Sequence, residues 1–329
     1  MSKVKNLRRK LKRSAKKCFS RYDRRCRFYD LSKIEPSKRV PRSKIIQFYS
    51  SFDNVGNYLP VLGIRKTISI DTDTWCMHDK KVDFDFINRS YKGIIIGGAG
   101  LLNKCFQPFW EIIGRECQLP MIVWGIGGCY KDVDKNSVID KDIANKVFNK
   151  CDLIDLRDDI TASFYGLSDA HLSPCPTVGY LETLMNKEQE RTNILFSSHE
   201  NLLTESETAR IKESIGRFDI SFKYTNNIQT FRRGLNDILE KFYCKSRLVI
   251  TTRLHGAIIS YGLHIPYVAI PRDDKIRAFH RMYSNGIIVE DIDDLGNTLK
   301  EGIELNKSVR IDLIYEFASK AKEWLNTVS

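Results

Sequence analysis

The feature that most constrains this chain is a repeated alternation of short, nearly all-apolar runs with stretches long enough to form a helix. The first series is Lys44-Ile-Ile-Gln-Phe-Tyr49, Thr67-Ile-Ser-Ile70, Gly93-Ile-Ile-Ile96, Met121-Ile-Val-Trp124 and Leu153-Ile-Asp-Leu156. Runs of this kind, mostly closed by Gly or a polar turn, are what parallel strands buried on both faces look like. Intervals such as 101–116 and 138–150 supply crossover helices, so 44–185 reads as a Rossmann-like α/β domain. A second series follows with Asn193-Ile-Leu-Phe196, Phe218-Asp-Ile-Ser-Phe222, Arg247-Leu-Val-Ile250, Pro266-Tyr-Val-Ala-Ile270 and Gly286-Ile-Ile-Val289. Amphipathic helical patterns at 204–216, 228–243, 291–304 and 308–326 fill its gaps. This predicts a second Rossmann-like domain over 186–329, reached through the polar hinge Asn186-Lys-Glu-Gln-Glu-Arg-Thr192. In open parallel sheets the loops beyond the C-terminal strand ends build the site, so a cleft between the two domains is where functional residues are expected.

Charge is unevenly placed. The 329 residues carry a formal +12, yet residues 1–43 alone hold seventeen Lys/Arg against Asp23, Asp30 and Glu35, a net of +14 that leaves −2 on the rest. A near-neutral body with a basic arm argues against a protein whose whole surface binds nucleic acid. Within the arm, Leu7, Leu11, Cys18, Phe19 and Tyr22 recur at helical spacings among cations. That pattern suits a helix lying on an anionic membrane surface, the alternative being a solvated, disordered basic tail. No apolar run is long enough to cross a bilayer and no secretory signal follows the basic start, so the expected place is the cytoplasm, peripheral on the inner face of its membrane. The nine cysteines are scattered and never spaced as Cys-x-x-Cys. They read as reduced thiols, several of them buried, with neither a disulfide framework nor a zinc site.

The richest motif is Leu248-Val-Ile-Thr-Thr-Arg-Leu-His-Gly-Ala-Ile-Ile-Ser-Tyr-Gly262. A strand ends at Thr251-Thr252, a turn carries Arg253 and His255, and Gly256 opens a helix expected to offer free backbone N–H groups. A guanidinium fork, a helix N-terminus and an imidazole able to move a proton make an anion site with acid–base chemistry. The plain alternative is a satisfied structural Arg and His. The next loop, Pro271-Arg-Asp-Asp-Lys-Ile-Arg-Ala-Phe279, offers Lys275 as a further cation, with Arg272 and Arg277 read as solvated helix-start residues. In the first domain, a strand delivers Arg157 just before a helix capped by Asp158 or Asp159; a brace on the Asp and a clamp on substrate fit the spacing equally. Two glycine-rich turns, Gly97-Gly-Ala-Gly100 and Gly125-Ile-Gly-Gly128, fail the dinucleotide fingerprint, because Asn103 stands where its third glycine belongs. No paired-carboxylate signature, Gly-x-Ser-x-Gly elbow, His-Glu-x-x-His or Walker loop is present.

Together these pieces resemble the polysaccharide pyruvyl transferase family, from about Ile45 to about Phe279. The most specific mark is Thr252-Arg-Leu-His-Gly256. In order with it stand Asn54-x-Gly56, Gly97-Gly-Ala-Gly100, Trp124-Gly-Ile-Gly127, Arg157-Asp158 with Thr161, Cys175-Pro-Thr177, and Asp274-Lys275 ahead of Phe279. The family usually has Asp after the first of these glycines, where this chain has Asn57.

The resemblance implies an α/β fold of two Rossmann-like domains in a GT-B-like arrangement. It also implies transfer of the enolpyruvyl group of phosphoenolpyruvate to a sugar diol of a cell-surface polysaccharide or its lipid-linked precursor, giving a pyruvate ketal and phosphate. His255, Arg253 and Arg157 are then the catalytic candidates. Thr252, Arg253, Leu254, Gly256 and Lys275 are the donor-binding candidates. The remaining cleft candidates are Asn54, Gly56, Asn57, Gly98, Gly100 and His199. The donor carries a phosphate and a carboxylate, so at least two fixed cations are expected. His255 is the natural acid–base group. No metal and no cofactor are expected. The partners are the donor, a saccharide acceptor and an anionic membrane surface, not nucleic acid. The competing enzyme reading is a GT-B-like glycosyltransferase with a nucleotide-sugar donor.

Overall fold

The computed structural model describes residues 23–78, 82–128, 137–185, 190–198, 203–218, 220–283, 286–300 and 309–328. Their strands form two parallel sheets. In chain order the first holds β1 (Ile45–Tyr49), β2 (Asp73–Cys76), β3 (Gly93–Gly97), β4 (Met121–Ile126), β5 (Cys151–Leu156) and β6 (His171–Leu172), arranged β2-β1-β3-β4-β5-β6. The second holds β7 (Asn193–Ser197), β8 (Phe222–Thr225), β9 (Ser246–Thr251), β10 (Tyr267–Ala269) and β11 (Gly286–Ile288), arranged β11-β10-β9-β7-β8. Every pairing between these strands is parallel. The central strands β1, β3, β4 and β7 are buried along their whole length, because helices cover both faces.

Two expected strands differ. Thr67-Ile-Ser-Ile70 is not a strand: helix Val55–Ile68 runs into it and ends at Ser69, whose φ is +60°. Ile64, Thr67 and Ile68 are all buried, so the helical period continues through a segment that also alternates like a strand. The edge strand is β2 instead, hidden in the sequence by its polar residues. Its buried Asp73 accepts hydrogen bonds from the Arg42 amide at 2.7 Å and from the Tyr91 hydroxyl at 2.8 Å. In the second domain β8 begins at Phe222, where the expected strand ended, and the helix foreseen from 228 begins only at Leu235.

Domain membership is also more interwoven than the expected boundaries. Helix Ile311–Val328, at the end of the expected second domain, lies on the first sheet. Phe317, Ala321, Trp324 and Leu325 pack with Ile45, Ile64, Ile68 and Trp124. The Trp324 indole donates to Asp152 at 2.8 Å. Residues 23–43, placed in the arm, run along the body and touch both domains. The Arg24 amide donates to Phe231 O at 3.1 Å, and the Cys26 amide to Gln229 Oε1 at 2.9 Å. Phe28 stacks on Tyr58 with ring centroids 3.7 Å apart, and Leu31 is fully buried. The amphipathic pattern of 7–22 and residues 186–189 of the hinge lie outside the described residues. No helix among the described residues is long and apolar enough to cross a membrane.

Among the described residues the domains share a buried apolar cluster, in which Val55, Tyr58 and Leu59 pack with Leu195, Leu235 and Val249, and polar contacts tie them on two sides. On one side the Val55 amide donates to Asn227 O at 2.9 Å and the Gln229 amide to Asp53 O at 2.7 Å. On the other, Arg281 pairs with Asp159 at 2.5 Å, and the Asp159 amide contacts Met282 Sδ at 3.3 Å. The cleft lies between them.

Candidate active site

A cavity of about 310 Å³ opens between the sheets at the C-terminal ends of their strands. The second domain contributes Thr252, Arg253, Leu254, His255, Asp273 and Lys275, which follow β9 and β10. The first domain contributes Ser50, Asn54 and Asn57 after β1, Gly100 and Asn103 after β3, and Arg157 after β5, with His78 and Phe106 beside them. The cations and the imidazole come together, as the strand-end rule requires.

Arg253 is the N-cap residue of helix Leu254–Gly262, in an extended conformation. Its amide donates to Thr251 Oγ1 at 3.0 Å and its guanidinium to the carbonyl of Asn226. The neighbouring Asn227 is held in turn, its amide donating to Ser197 Oγ at 3.1 Å and its Oδ1 accepting from the Tyr243 hydroxyl at 3.0 Å. Thr252 is buried, its hydroxyl 3.3 Å from that of Ser198. Gly256 does not offer the free amide expected of it. Its N–H donates to Arg253 O at 3.0 Å, and the residue packs on Thr251 and Ser197 and does not line the cavity. The amides that precede any helical acceptor are those of Leu254 and His255.

His255 meets the first domain directly. A Cβ on Gly56 would fall 2.1 Å from its Cγ, so only glycine leaves room for the imidazole. Its Nε2 is buried and has no hydrogen-bond partner. Burial first, and then the charges of Arg157, Arg253 and Lys275, hold the imidazole well below its ordinary value. It is therefore neutral near pH 7.

Arg157 combines both readings left open by its spacing. It is 2% exposed; its Nε lies 3.3 Å from Asp158 Oδ2 and its Nη2 donates to Gly128 O at 3.2 Å. Asp158 also caps helix Asp159–Tyr165 through the Thr161 amide at 2.8 Å. That is a brace. Its Nη1, however, is buried without a partner on a side chain that lines the cavity. Arg157→Ala should consequently lower activity and also destabilise the fold by roughly 3 kcal/mol, because Asp158 loses its buried counter-charge. Chemical denaturation beside a donor-binding titration checks both halves, and an unchanged midpoint would remove the brace.

The other candidates divide. Lys275 reaches the cavity with its ammonium 2.6 Å from Asp273 Oδ2. Asn57 lines the cavity and donates to Ser50 and Ser51 at 3.2 and 3.1 Å, while Asn54 lines it and caps helix Val55–Ile68. Gly98 is not on the cavity surface: with φ of +76° it lies under Pro60, whose Cβ would be 1.9 Å from an added Cβ. His199 lies outside the described residues. Sequence reasoning missed Asp273, Ser50, Asn103, His78 and Phe106. Ser50 and Asp273 carried a findable signal, each standing just beyond a strand. The His78 and Phe106 rings, 4.8 Å apart, meet only through the fold. Among the described residues no group of three or more His, Cys, Asp or Glu could hold a metal ion.

The family model described as Polysaccharide pyruvyl transferase matches residues 8–274. The chain belongs to the polysaccharide pyruvyl transferase family. The match reaches further into the arm than the motifs do and stops one residue before Lys275. No curated protein matches this family member. Among solved structures it is similar to a putative UDP-N-acetylglucosamine 2-epimerase from Listeria monocytogenes, with 10% identity, TM-score 0.51, and 78% of this chain and 87% of that one covered. It is also similar to the S. aureus MnaA–UDP co-structure, with 11% identity, TM-score 0.51, and coverage of 86% and 96%. A third is the UDP-GlcNAc 2-epimerase of Methanocaldococcus jannaschii in complex with UDP-GlcNAc and UDP, at 8%, 0.50, 81% and 94%. At such identities the likeness concerns the fold, and this pyruvyl transferase family member is GT-B-like, with two Rossmann-like domains.

Proposed function

We propose that this transferase moves the enolpyruvyl group of phosphoenolpyruvate onto a sugar diol, forming a pyruvate ketal and releasing phosphate. The observation that carries the reading is the convergence of Arg157, Arg253 and Lys275 on one cavity around a neutral His255. A small donor with a phosphate and a carboxylate needs several fixed cations at close range, and a cavity of about 310 Å³ is at the small end of ligand sites. Arg157 Nη1 and His255 Nε2, buried and unpartnered, are groups that an anion and a transferable proton would satisfy.

The chemistry follows from those groups. Protonation of the methylene carbon makes an oxocarbenium-like centre, a sugar hydroxyl adds there, phosphate leaves, and a second hydroxyl closes the ring. Bound donor spreads negative charge among the three cations that depress His255, which brings the imidazole toward a value at which it can give up a proton. Arg157 and Arg253 hold the anionic groups from opposite domains.

The test is release of inorganic phosphate from phosphoenolpyruvate in the presence of saccharide acceptors, with the ketal identified by mass spectrometry. Release of a nucleoside phosphate from a nucleotide sugar instead would favour the glycosyltransferase reading. The acceptor is proposed to be a cell-surface polysaccharide or its lipid-linked precursor, with the arm holding the protein on an anionic membrane. Each cation near such a surface contributes about 1 kcal/mol. Since residues 23–43 belong to the body, the informative comparison is the full chain against one starting at Asp23. The full chain alone should co-sediment with anionic liposomes and lose that binding in salt; equal binding by both would sink the idea.

A further inference from the structure

Among the described residues lining the cavity, one carboxylate stands among three cations, two imidazoles and neutral groups: Asp273. The loop after β10 sorts its charges. Arg272 turns to Glu207 at 2.6 Å, and Arg277 to Glu290 at 2.7 Å and Asp274 at 3.1 Å, which leaves Asp273 and Lys275 on the cavity. Asp273 is only 8% exposed. Its Oδ2 meets Lys275 at 2.6 Å, while its Oδ1 is buried with no hydrogen-bond partner. A carboxylate oxygen out of water and unpaired is costly, and a fold that merely needed to hold Lys275 would not require that residue to line a ligand cavity.

Addition of a hydroxyl to the donor demands a proton acceptor. His255 is occupied with the opposite task, giving a proton to the methylene carbon, and Arg157, Arg253 and Lys275 have no lone pair to offer while charged. Of the two remaining titratable acceptors, the His78 ring packs on Phe106 at 4.8 Å, whereas Asp273 stands against Lys275, one of the cations proposed to hold the donor. Resting on the pyruvyl-transfer reading, we propose that Asp273 Oδ1 receives the hydrogen bond of the attacking acceptor hydroxyl and takes its proton. The balance closes. His255 protonates the methylene carbon; the first hydroxyl oxygen bonds to the adjacent carbon as its proton passes to Asp273; the carbon–oxygen bond to phosphate then breaks. The second hydroxyl closes the ketal and its proton restores His255, while the proton on Asp273 leaves with phosphate. Two hydroxyl protons are thus accounted for, one on the new methyl group and one on phosphate, with no redox change.

Asp273→Asn keeps an oxygen for Lys275 but cannot accept a proton. With a pool of p-nitrophenyl glycosides of common hexoses as acceptors, it should lower phosphate release by roughly 10²–10⁴-fold while phosphoenolpyruvate binding, read by titration calorimetry, changes little. Asp273→Ala should be similarly slow and should regain activity with added formate, a response that loss of mere positioning does not give. Donor affinity falling in step with turnover in Asp273→Asn would make Asp273 only the anchor of Lys275 and overturn the role. So would near-normal turnover. If the wild-type protein neither binds phosphoenolpyruvate nor releases phosphate from it with any of the pool, the donor reading itself fails and the role falls with it, an outcome plainly separate from a wild-type protein that works and a variant that behaves the same.

Discussion

His255→Ala should leave the fold and phosphoenolpyruvate binding largely intact and slow the turnover of saturated enzyme by roughly 10²–10⁴-fold, the range for a lost acid–base group. The reason lies in how the imidazole is held. Burial and three neighbouring cations push its value well below 6.5, so it is neutral near pH 7 before donor binds, and the donor is held chiefly by Arg157, Arg253 and Lys275. Donor anions shield those cations and raise the value, so binding should take up a proton. Affinity should therefore strengthen as pH falls through the value in the complex toward the lower value of the free protein. Calorimetric titration in buffers of different ionisation heat reads that uptake, and it should disappear in His255→Ala. Stability has the matching sign: the unfolded chain binds a proton near pH 6.5 that the folded site refuses, so stability contributed by this group is full above that pH and declines below it. A variant in which the donor-induced thermal shift vanishes while saturated turnover persists would make His255 a binder instead of the proton carrier.

What could be read in the sequence is what repeats locally. Strands buried on both faces announce themselves as Ile-rich runs, and the Thr252-Arg-Leu-His-Gly256 segment places its charged groups beyond such a strand without any knowledge of the rest of the chain. Features that depend on distant partners were hidden. β2 carries Asp73 because Tyr91 and the Arg42 amide satisfy it, so its polarity disguised it. Helix Ile311–Val328 shows an amphipathic pattern but nothing in that pattern says which sheet it covers. Residues 23–43 are basic overall, yet many of their charges are spent inside the body, as Arg39 is on Asp83 at 2.8 Å and over the Trp75 ring at 4.6 Å. In Arg272-Asp-Asp-Lys275 the two acids are equivalent on paper. Only the phase of the helix beginning at Asp274 turns one toward Arg277 and leaves the other beside the cavity.

Arg253→Lys is the second large effect, because it keeps the charge and removes the geometry. The guanidinium is pre-set before any donor arrives. One end is tied to Asn226 O, in a loop braced by the Asn227–Ser197–Tyr243 hydrogen bonds, and its backbone amide is tied to Thr251 Oγ1. The planar group can keep that carbonyl and still present further N–H donors to a phosphate or carboxylate. A lysine ammonium is a single point on a flexible stem. Holding Asn226 O draws it from the ligand, and turning to the ligand leaves the carbonyl without its donor. A hydrogen bond to a charged group contributes about 1.5–3 kcal/mol, so losing one such bond should lower kcat/KM by roughly 10–10²-fold. Most of that loss should appear in KM for phosphoenolpyruvate if the bond is made equally before and during the reaction, and in kcat if it forms only as phosphate departs. Steady-state kinetics at varied donor, with inorganic phosphate as a competing anion, separates these outcomes. Near-normal kcat/KM together with unchanged phosphate inhibition would move the anion site away from Arg253 and toward Arg157 and Lys275.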